Sequence, residues 1–103
     1  MAAIQLDDLK EFDKNHYLAK LVFDSEQARV ALFCLEPGQE LPVHVSTSEV
    51  LFQVIEGTGK LVVGEEKISA KAGTFAVCGP EVPHGLEAEG RFVVLAVIAP
   101  RPS

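Results

Sequence analysis

The stretch EPGQELPVHVSTSEVLFQVIEG, residues 36–57, decides the fold of this 103-residue chain. It opens with a Pro-Gly turn, continues through Pro42 to Val45, and after a polar loop enters the apolar run Val50 to Ile55. Each apolar run is too short for a helix of ordinary length, and Glu56-Gly57-Thr58-Gly59 contains residues typical of a tight turn. The stretch therefore predicts two β-strands joined by a polar loop.

The same pattern extends in both directions along the chain. From Tyr17 onward, short runs of β-branched and aromatic residues alternate with Pro, Gly and Asp clusters at intervals of roughly ten residues, as in all-β domains. The turn residues predict that consecutive strands pair antiparallel. Ahead of the strands, Leu6 to Phe12 fits either one short helical turn or an irregular lead-in to the fold. The predicted strands are Leu18 to Phe23, Arg29 to Leu35, Pro42 to Val45, Val50 to Ile55, Gly59 to Val63, Lys67 to Ala70, Thr74 to Cys78, Gly85 to Glu89 and Phe92 to Ala99.

The absence of long helical periodicity narrows the fold class. No segment keeps a helical pattern over the length that a βαβ crossover requires, which argues against a parallel sheet. An antiparallel sheet of this size hides its edges by closing, so we predict an all-β fold, a small antiparallel barrel or two-sheet jelly roll that encloses a pocket. We expect a single domain over residues 1–103, with its core at about residues 17–99.

Composition and charge exclude several kinds of partner. The chain is 48% hydrophobic and 23% charged, which is typical of a globular protein. Its net charge of -6 opposes binding to nucleic acid. Without an apolar run near ~18 residues or a basic-then-apolar leader, we expect a cytoplasmic protein with no membrane partner. Cys34 and Cys78 lie in apolar runs without CxxC spacing and are predicted to be buried free thiols.

The run Phe92-Val93-Val94-Leu95-Ala96-Val97-Ile98 is apolar on both faces of a strand. A central strand of the sheet would explain this pattern. A second subunit that covers the outward face would also explain it, because a long apolar strand left bare invites aggregation. We therefore expect a homodimer.

The chain has three histidines, and their sequence contexts differ. His16 lies in a polar approach to the first strand, where nothing suggests a pocket. His44 follows Gly38 by a fixed interval, and His84 ends the stretch GTFAVCGPEVPH, residues 73–84. Residues 38–57 resemble the first cupin motif and residues 73–84 resemble the second. The resemblance covers Tyr17 to Ala99 and implies a double-stranded β-helix of the RmlC-like cupin type.

The resemblance also implies a metal site, of which this sequence keeps two ligands. In metal-loaded cupins, the four ligands fall on the positions held here by His44, Ser46, Val50 and His84. Serine is a poor ligand for a transition metal, and valine cannot bind one. The resemblance thus implies a divalent Zn, Fe, Mn or Ni ion held by His44 and His84. Side chains alternate between the two faces of a strand, and residues 44, 46, 48 and 50 are expected to face inward. Glu49 is offset by one position from this series, so it can replace the missing carboxylate ligand at position 50 only if the strand bulges.

Three functions are open at this point. The first is binding of a small molecule inside the barrel, with or without the metal, through His44, Ser46, Ser48 and His84 among apolar side chains. The second is a metal-dependent cupin enzyme of the oxygenase or isomerase class, and the third is a regulatory or sensory module with a partner protein. Two imidazoles with pKa values near their ordinary ~6.5 can also move a proton without a metal. Alternatively, both histidines are hydrogen-bonded polar groups of the barrel interior.

Overall fold

The computed structural model describes residues 3–102. One 3-10 turn, Leu6–Leu9, precedes seven strands, which confirms the all-β class and selects the helical turn from the two forms expected for this segment. Among residues 3–102, no helix is long and apolar enough to cross a membrane. The strands are β1 Leu18–Asp24, β2 Arg29–Leu35, β3 Glu40–His44, β4 Glu49–Val63, β5 Glu66–Lys71, β6 Phe75–Cys78 and β7 His84–Ala99.

The two longest strands, β4 and β7, form the centre of the fold. They pair antiparallel from Glu49 opposite Ala99 to Val63 opposite His84. One half of this pair continues through β2 to β1 on one side and to β6 on the other. The other half is flanked by β3 and β5. Side chains from both halves meet in one core, which contains Phe52, Leu61, Leu86 and Phe92.

Residues 3–102 contain seven strands where nine were predicted. The difference arises because two segments that were predicted to be turns are bends inside longer strands. The segment around Gly57 bends β4, and the segment around Gly90 lies inside β7. Register shifts in β4 near Gly57 and Gly59 mark the bend. Gly57 has a φ of 87°, which glycine adopts without a steric penalty. Glycine therefore lets the paired strands turn from one half to the other without reversing direction.

The prediction that consecutive strands pair is wrong for most of the chain. It holds for β1 with β2 and for β4 with β5. In contrast, β2, β3 and β4 all pair with β7, and β6 pairs with β4. This order is that of a jelly roll, in which connections cross between the halves instead of closing simple hairpins.

The segment Phe92 to Ile98 lies in a central strand. A central position was one of the two explanations that the sequence offered for its two apolar faces. It pairs with β2 on one edge and β4 on the other. A second buried cluster, formed by Leu32, Cys34 and Val93, packs with Leu9 and Phe12 of the N-terminal segment. Cys34 and Cys78 are both buried and unpaired, which confirms the prediction of buried free thiols.

We predict that Gly57→Ala destabilises the protein far more than Gly38→Ala. A β-carbon at Gly57 would overlap the carbonyl oxygen of Arg91 across the strand pair, whereas at Gly38 it would meet no atom within 4 Å. Both glycines have positive φ, so Gly38→Ala should cost only the left-handed backbone penalty of about 1–2 kcal/mol. Gly57→Ala should cost about 3 kcal/mol or more. Urea unfolding measures both losses, and equal losses would contradict this account of the bend.

Candidate functional site

The two motif histidines lie opposite one another on paired strands. His44 is the last residue of β3 and His84 is the first residue of β7, and the two are register partners. Their ring centroids are 4.3 Å apart at an interplanar angle of 61°. Two positions far apart in the sequence therefore meet because β3 pairs antiparallel with the start of β7.

Both imidazoles are held by the same local hydrogen bond. Nδ1 of His44 lies 3.0 Å from the carbonyl oxygen of Pro42, and Nδ1 of His84 lies 3.0 Å from that of Val82. A carbonyl oxygen only accepts, so each Nδ1 carries the proton that it donates. In the neutral form of each ring, Nε2 therefore has a free lone pair.

The histidine pair lines a cavity with a volume of about 210 Å³. Apart from the two imidazoles and Ser46, its wall is apolar. Strands β2, β3, β4 and β7 together supply every apolar lining residue except Pro102. The apolar lining residues are Phe33, Leu41, Val50, Phe52, Ala96, Ile98 and Pro102.

His84 is the more buried of the two histidines. It is 2% exposed, and its ring lies 5.9 Å from that of Phe52, whereas His44 lines the same cavity but is exposed. Burial lowers the pKa of His84, the Val82 carbonyl partly offsets this effect, and the neighbouring His44 lowers the pKa further. His84 is therefore neutral at pH 7, with its Nε2 available as a hydrogen-bond acceptor.

The structure separates the two serines that the sequence grouped with the histidines. Ser46 lines the cavity, and its hydroxyl makes only a long contact of 3.4 Å with the carbonyl oxygen of Ser48. The hydroxyl of Ser48 is buried and donates to the carbonyl oxygen of Pro100 at 2.7 Å. Ser48 does not line the cavity and instead anchors the C-terminal segment that places Pro102 at the cavity wall.

The donor atoms at this site do not fit an ordinary catalytic metal centre. Within residues 3–102, no group of three or more His, Cys, Asp or Glu side chains is arranged to hold an ion. Glu49 is exposed while Val50 lines the cavity, so the strand alternates without a bulge at this point. Neither Cys34 nor Cys78 lines the cavity. Two imidazoles remain, whereas catalytic zinc sites usually have three protein ligands.

His16 lies apart from the site, as its sequence context predicted. It is exposed in the loop before β1, where its Nδ1 contacts the carbonyl oxygen of Tyr17. Six of the cavity-lining residues were not identified from the sequence: Phe33, Leu41, Phe52, Ala96, Ile98 and Pro102. Phe33 lies on the inward side of a predicted strand and was open to inference from alternation. Pro102 follows the last strand, and no sequence signal placed it at the cavity.

Comparisons with known proteins establish the family. Residues 31–98 match the family model of the cupin domain, and the chain belongs to the cupin family. No curated protein sequence matched. The predicted resemblance to cupins is thereby confirmed.

Solved structures of other proteins have the same fold over nearly the whole length of this chain. The protein TT1209 from Thermus thermophilus is 32% identical, with a TM-score of 0.94 over 99% of this chain and 100% of that chain. An RmlC-like cupin from Desulfovibrio desulfuricans is 35% identical, with a TM-score of 0.91 over 98% of both chains. A double-stranded β-helix protein from Klebsiella pneumoniae shares the fold at 24% identity, with a TM-score of 0.90 over 97% of this chain and 90% of that one. The predicted jelly-roll class is confirmed.

We predict that His84 makes the protein less stable as the pH falls below about 6.5, the ordinary pKa of histidine in an unfolded chain. Because burial lowers the folded-state pKa, the unfolded chain binds more protons between the two values. The contribution is complete above pH 6.5 and is lost on acidification, with a slope of at most about 1.4 kcal/mol per pH unit.

Urea unfolding between pH 8 and pH 5 measures this loss. His84→Gln should flatten the slope relative to the wild type, because the carboxylates that titrate at lower pH are common to both proteins. His16→Gln is the matched control, because it removes an exposed histidine that lies apart from the cavity. A wild-type slope that survives in His84→Gln would show that His84 does not cause it.

We also predict different consequences for the two serines. Ser48→Ala should cost about 1–3 kcal/mol of unfolding free energy, because it leaves the Pro100 carbonyl without its buried donor. Ser46→Ala should change stability by no more than about 0.5 kcal/mol. Urea unfolding of the two variants compares them directly, and a larger loss for Ser46→Ala would contradict their assigned places.

Proposed function

We propose that this cupin binds a small, mainly apolar molecule that carries one hydroxyl or acid group. The observation that supports the proposal is the uneven distribution of polarity in the cavity. The imidazoles of His44 and His84 lie side by side, Ser46 is two residues from His44, and the remaining wall is hydrocarbon and aromatic. A few directed polar groups in an apolar cavity are what small-molecule sites generally have.

The cavity volume limits the size of the ligand. A volume of about 210 Å³ lies below the range of roughly 300–1,000 Å³ found for pockets that hold drug-sized molecules. An apolar cavity of roughly 150 Å³ already accepts benzene. A single ring or a short branched chain therefore fits, with Phe33 and Phe52 available to contact its apolar part.

The histidine tautomers favour a ligand hydroxyl. Both Nδ1 atoms donate to backbone carbonyls, so each neutral ring offers a lone pair at Nε2, which accepts a hydrogen bond from a hydroxyl group. A carboxylate needs a proton on one imidazole, and the lowered pKa of His84 opposes that proton at neutral pH. Hydroxyl compounds should therefore bind at pH 7 to 8, and acids should gain affinity as the pH falls.

A metal-dependent cupin enzyme is the second candidate, and one observation favours it. Histidines that bind metals usually donate the other ring N–H to a carbonyl or carboxylate, which is the arrangement of both His44 and His84. These two residues would hold a divalent ion, and its other ligands would have to be water or donors of the bound molecule. The first proposal needs no ion. A regulatory role would use the same cavity and would require a partner protein.

We predict that the metal-free protein binds phenol more tightly than toluene, by up to about tenfold, because one hydrogen bond contributes about 0.5–1.5 kcal/mol. Titration at pH 8 with chemical-shift detection, on chelator-treated protein without a histidine tag, measures both affinities. His44→Ala should reduce the difference between the two affinities, because it removes one hydrogen-bond acceptor that lines the cavity. His16→Ala is the matched control and should bind both compounds as the wild type does.

Two outcomes would count against the proposal. Equal affinity for phenol and toluene would mean that the histidines do not contact the ligand. Binding that appears only after addition of Zn²⁺, Fe²⁺, Mn²⁺ or Ni²⁺, and that is lost in His44→Ala, would favour the metal-dependent candidate. Metal analysis of the wild type beside His44→Ala provides a separate check, since this proposal predicts less than one equivalent in both.

A further inference from the structure

The cavity wall includes a residue that follows the last strand. Most lining residues lie on β2, β3, β4 or β7, where backbone pairing holds them in place. Within residues 3–102, only Ser46 and Pro102 line the cavity from outside a strand. Pro102 is partly buried and lies three residues beyond Ala99, where β7 ends. We call the segment Pro100–Pro102 the strap. Its position depends on contacts other than strand pairing.

Two hydrogen bonds hold the backbone of the strap. The carbonyl oxygen of Pro100 accepts a hydrogen bond of 2.7 Å from the buried hydroxyl of Ser48, which lies between β3 and β4. The backbone N–H of Arg101 donates to the carbonyl oxygen of Gln27, in the turn between β1 and β2, at 3.0 Å. The strap is therefore held at the two residues directly before Pro102.

The side chain of Arg101 adds an ion pair with Asp24, the last residue of β1. Its Nε and Nη2 donate to the two carboxylate oxygens at 2.6 and 3.0 Å. Arg29 lies 3.5 Å from the same carboxylate. A two-point contact between a guanidinium and a carboxylate fixes orientation as well as distance. Both side chains are partly exposed, and ion pairs of this kind add little to global stability. What the pair fixes is the place of Arg101, and with it the neighbouring Pro102.

We propose that the strap selects ligands by size, with Pro102 as the specificity-determining residue and Arg101 as the positioning residue that holds it. The inference rests on the proposed binding of a small molecule in the cavity. A cavity of roughly 150 Å³ already accepts benzene. A single ring therefore takes up most of the volume of about 210 Å³, and a substituent on the ring meets the wall. Pro102 is the apolar part of this wall that can be removed without breaking a strand pair.

The affinities of phenol and 4-propylphenol test the role of Pro102. Pro102→Gly removes three carbon atoms from the wall, which is the number that a propyl group adds. The ratio of the affinity for 4-propylphenol to that for phenol should rise at least about tenfold in this variant, because each buried methylene contributes up to about fourfold. Pro102→Ala keeps Cβ and should give a smaller rise. Titration with chemical-shift detection, on chelator-treated protein at pH 8, measures both affinities.

Arg101→Gln tests whether the ion pair positions Pro102. The affinity ratio should rise about two- to fivefold, which is the size of effect expected from losing an exposed ion pair. Asp24→Asn should give the same rise, and the double variant should give no more than either. Arg91→Gln is the matched control, because Arg91 contacts Glu36 in the same two-point manner, at 2.7 and 3.4 Å, and neither residue lines the cavity. Both arginine variants lose an ion pair, so the affinity ratio separates a role at the cavity from a role in stability alone.

Toluene and propylbenzene repeat the comparison without a hydroxyl group and separate this proposal from the proposed function. A size dependence that Pro102→Gly removes, together with equal affinity for phenol and toluene, would support the strap and contradict the hydrogen bond to the histidines. An affinity ratio that stays at the wild-type value in both Pro102→Gly and Pro102→Ala would overturn the strap alone. Equal rises in Arg101→Gln and Arg91→Gln would overturn the positioning role of Arg101. If neither series of compounds binds, both proposals are wrong.

Discussion

The antiparallel pairing of β4 with β7 is the constraint on which the rest of the structure depends. Each strand contributes one end to each half of the fold, and both bend at a point where Gly57 and Gly59 allow close approach. The pairing brings the start of β7 next to β3 and its end next to β2. One face of this pair lines the cavity, and Leu51 and Val97 lie on the opposite face.

The histidine pair follows from that arrangement and from local backbone geometry. His84 begins β7, and β3 ends beside it, so His44 and His84 meet in the wall of the cavity. In both cases a carbonyl two residues earlier in the chain orients the ring. Burial against Phe52 keeps His84 neutral, and the apolar wall leaves the imidazoles as the main polar groups that a ligand meets. The family fold is thus retained while the donor set of a metal centre is reduced to two.

Most of the fold was predictable because it depends on local patterns. Short alternating runs located the strand segments, and the spacing of His44 and His84 in two motifs identified the family. The pairing partners were not predictable in this way, because a glycine that bends a continuous strand and a glycine that closes a hairpin look alike in sequence. At the site, Val50 and Ser46 line the cavity, as the alternation of side chains along the chain predicted. Ser48 does not line the cavity, because its hydroxyl donates to the carbonyl oxygen of Pro100. That partner is 52 residues away in the sequence, so no local pattern indicates it.

The central claim is that both imidazoles donate through Nδ1 to backbone carbonyls and leave Nε2 free to accept a hydrogen bond from a ligand in the apolar cavity. Correlation of imidazole nitrogens and protons by NMR at pH 8 tests this claim directly, since the protonated and unprotonated ring nitrogens have distinct chemical shifts. The account predicts that His44 and His84 both carry their proton on Nδ1, and that phenol shifts their Nε2 resonances while leaving those of His16 in place. A proton on Nε2 of either ring, or no response to phenol, would contradict the account.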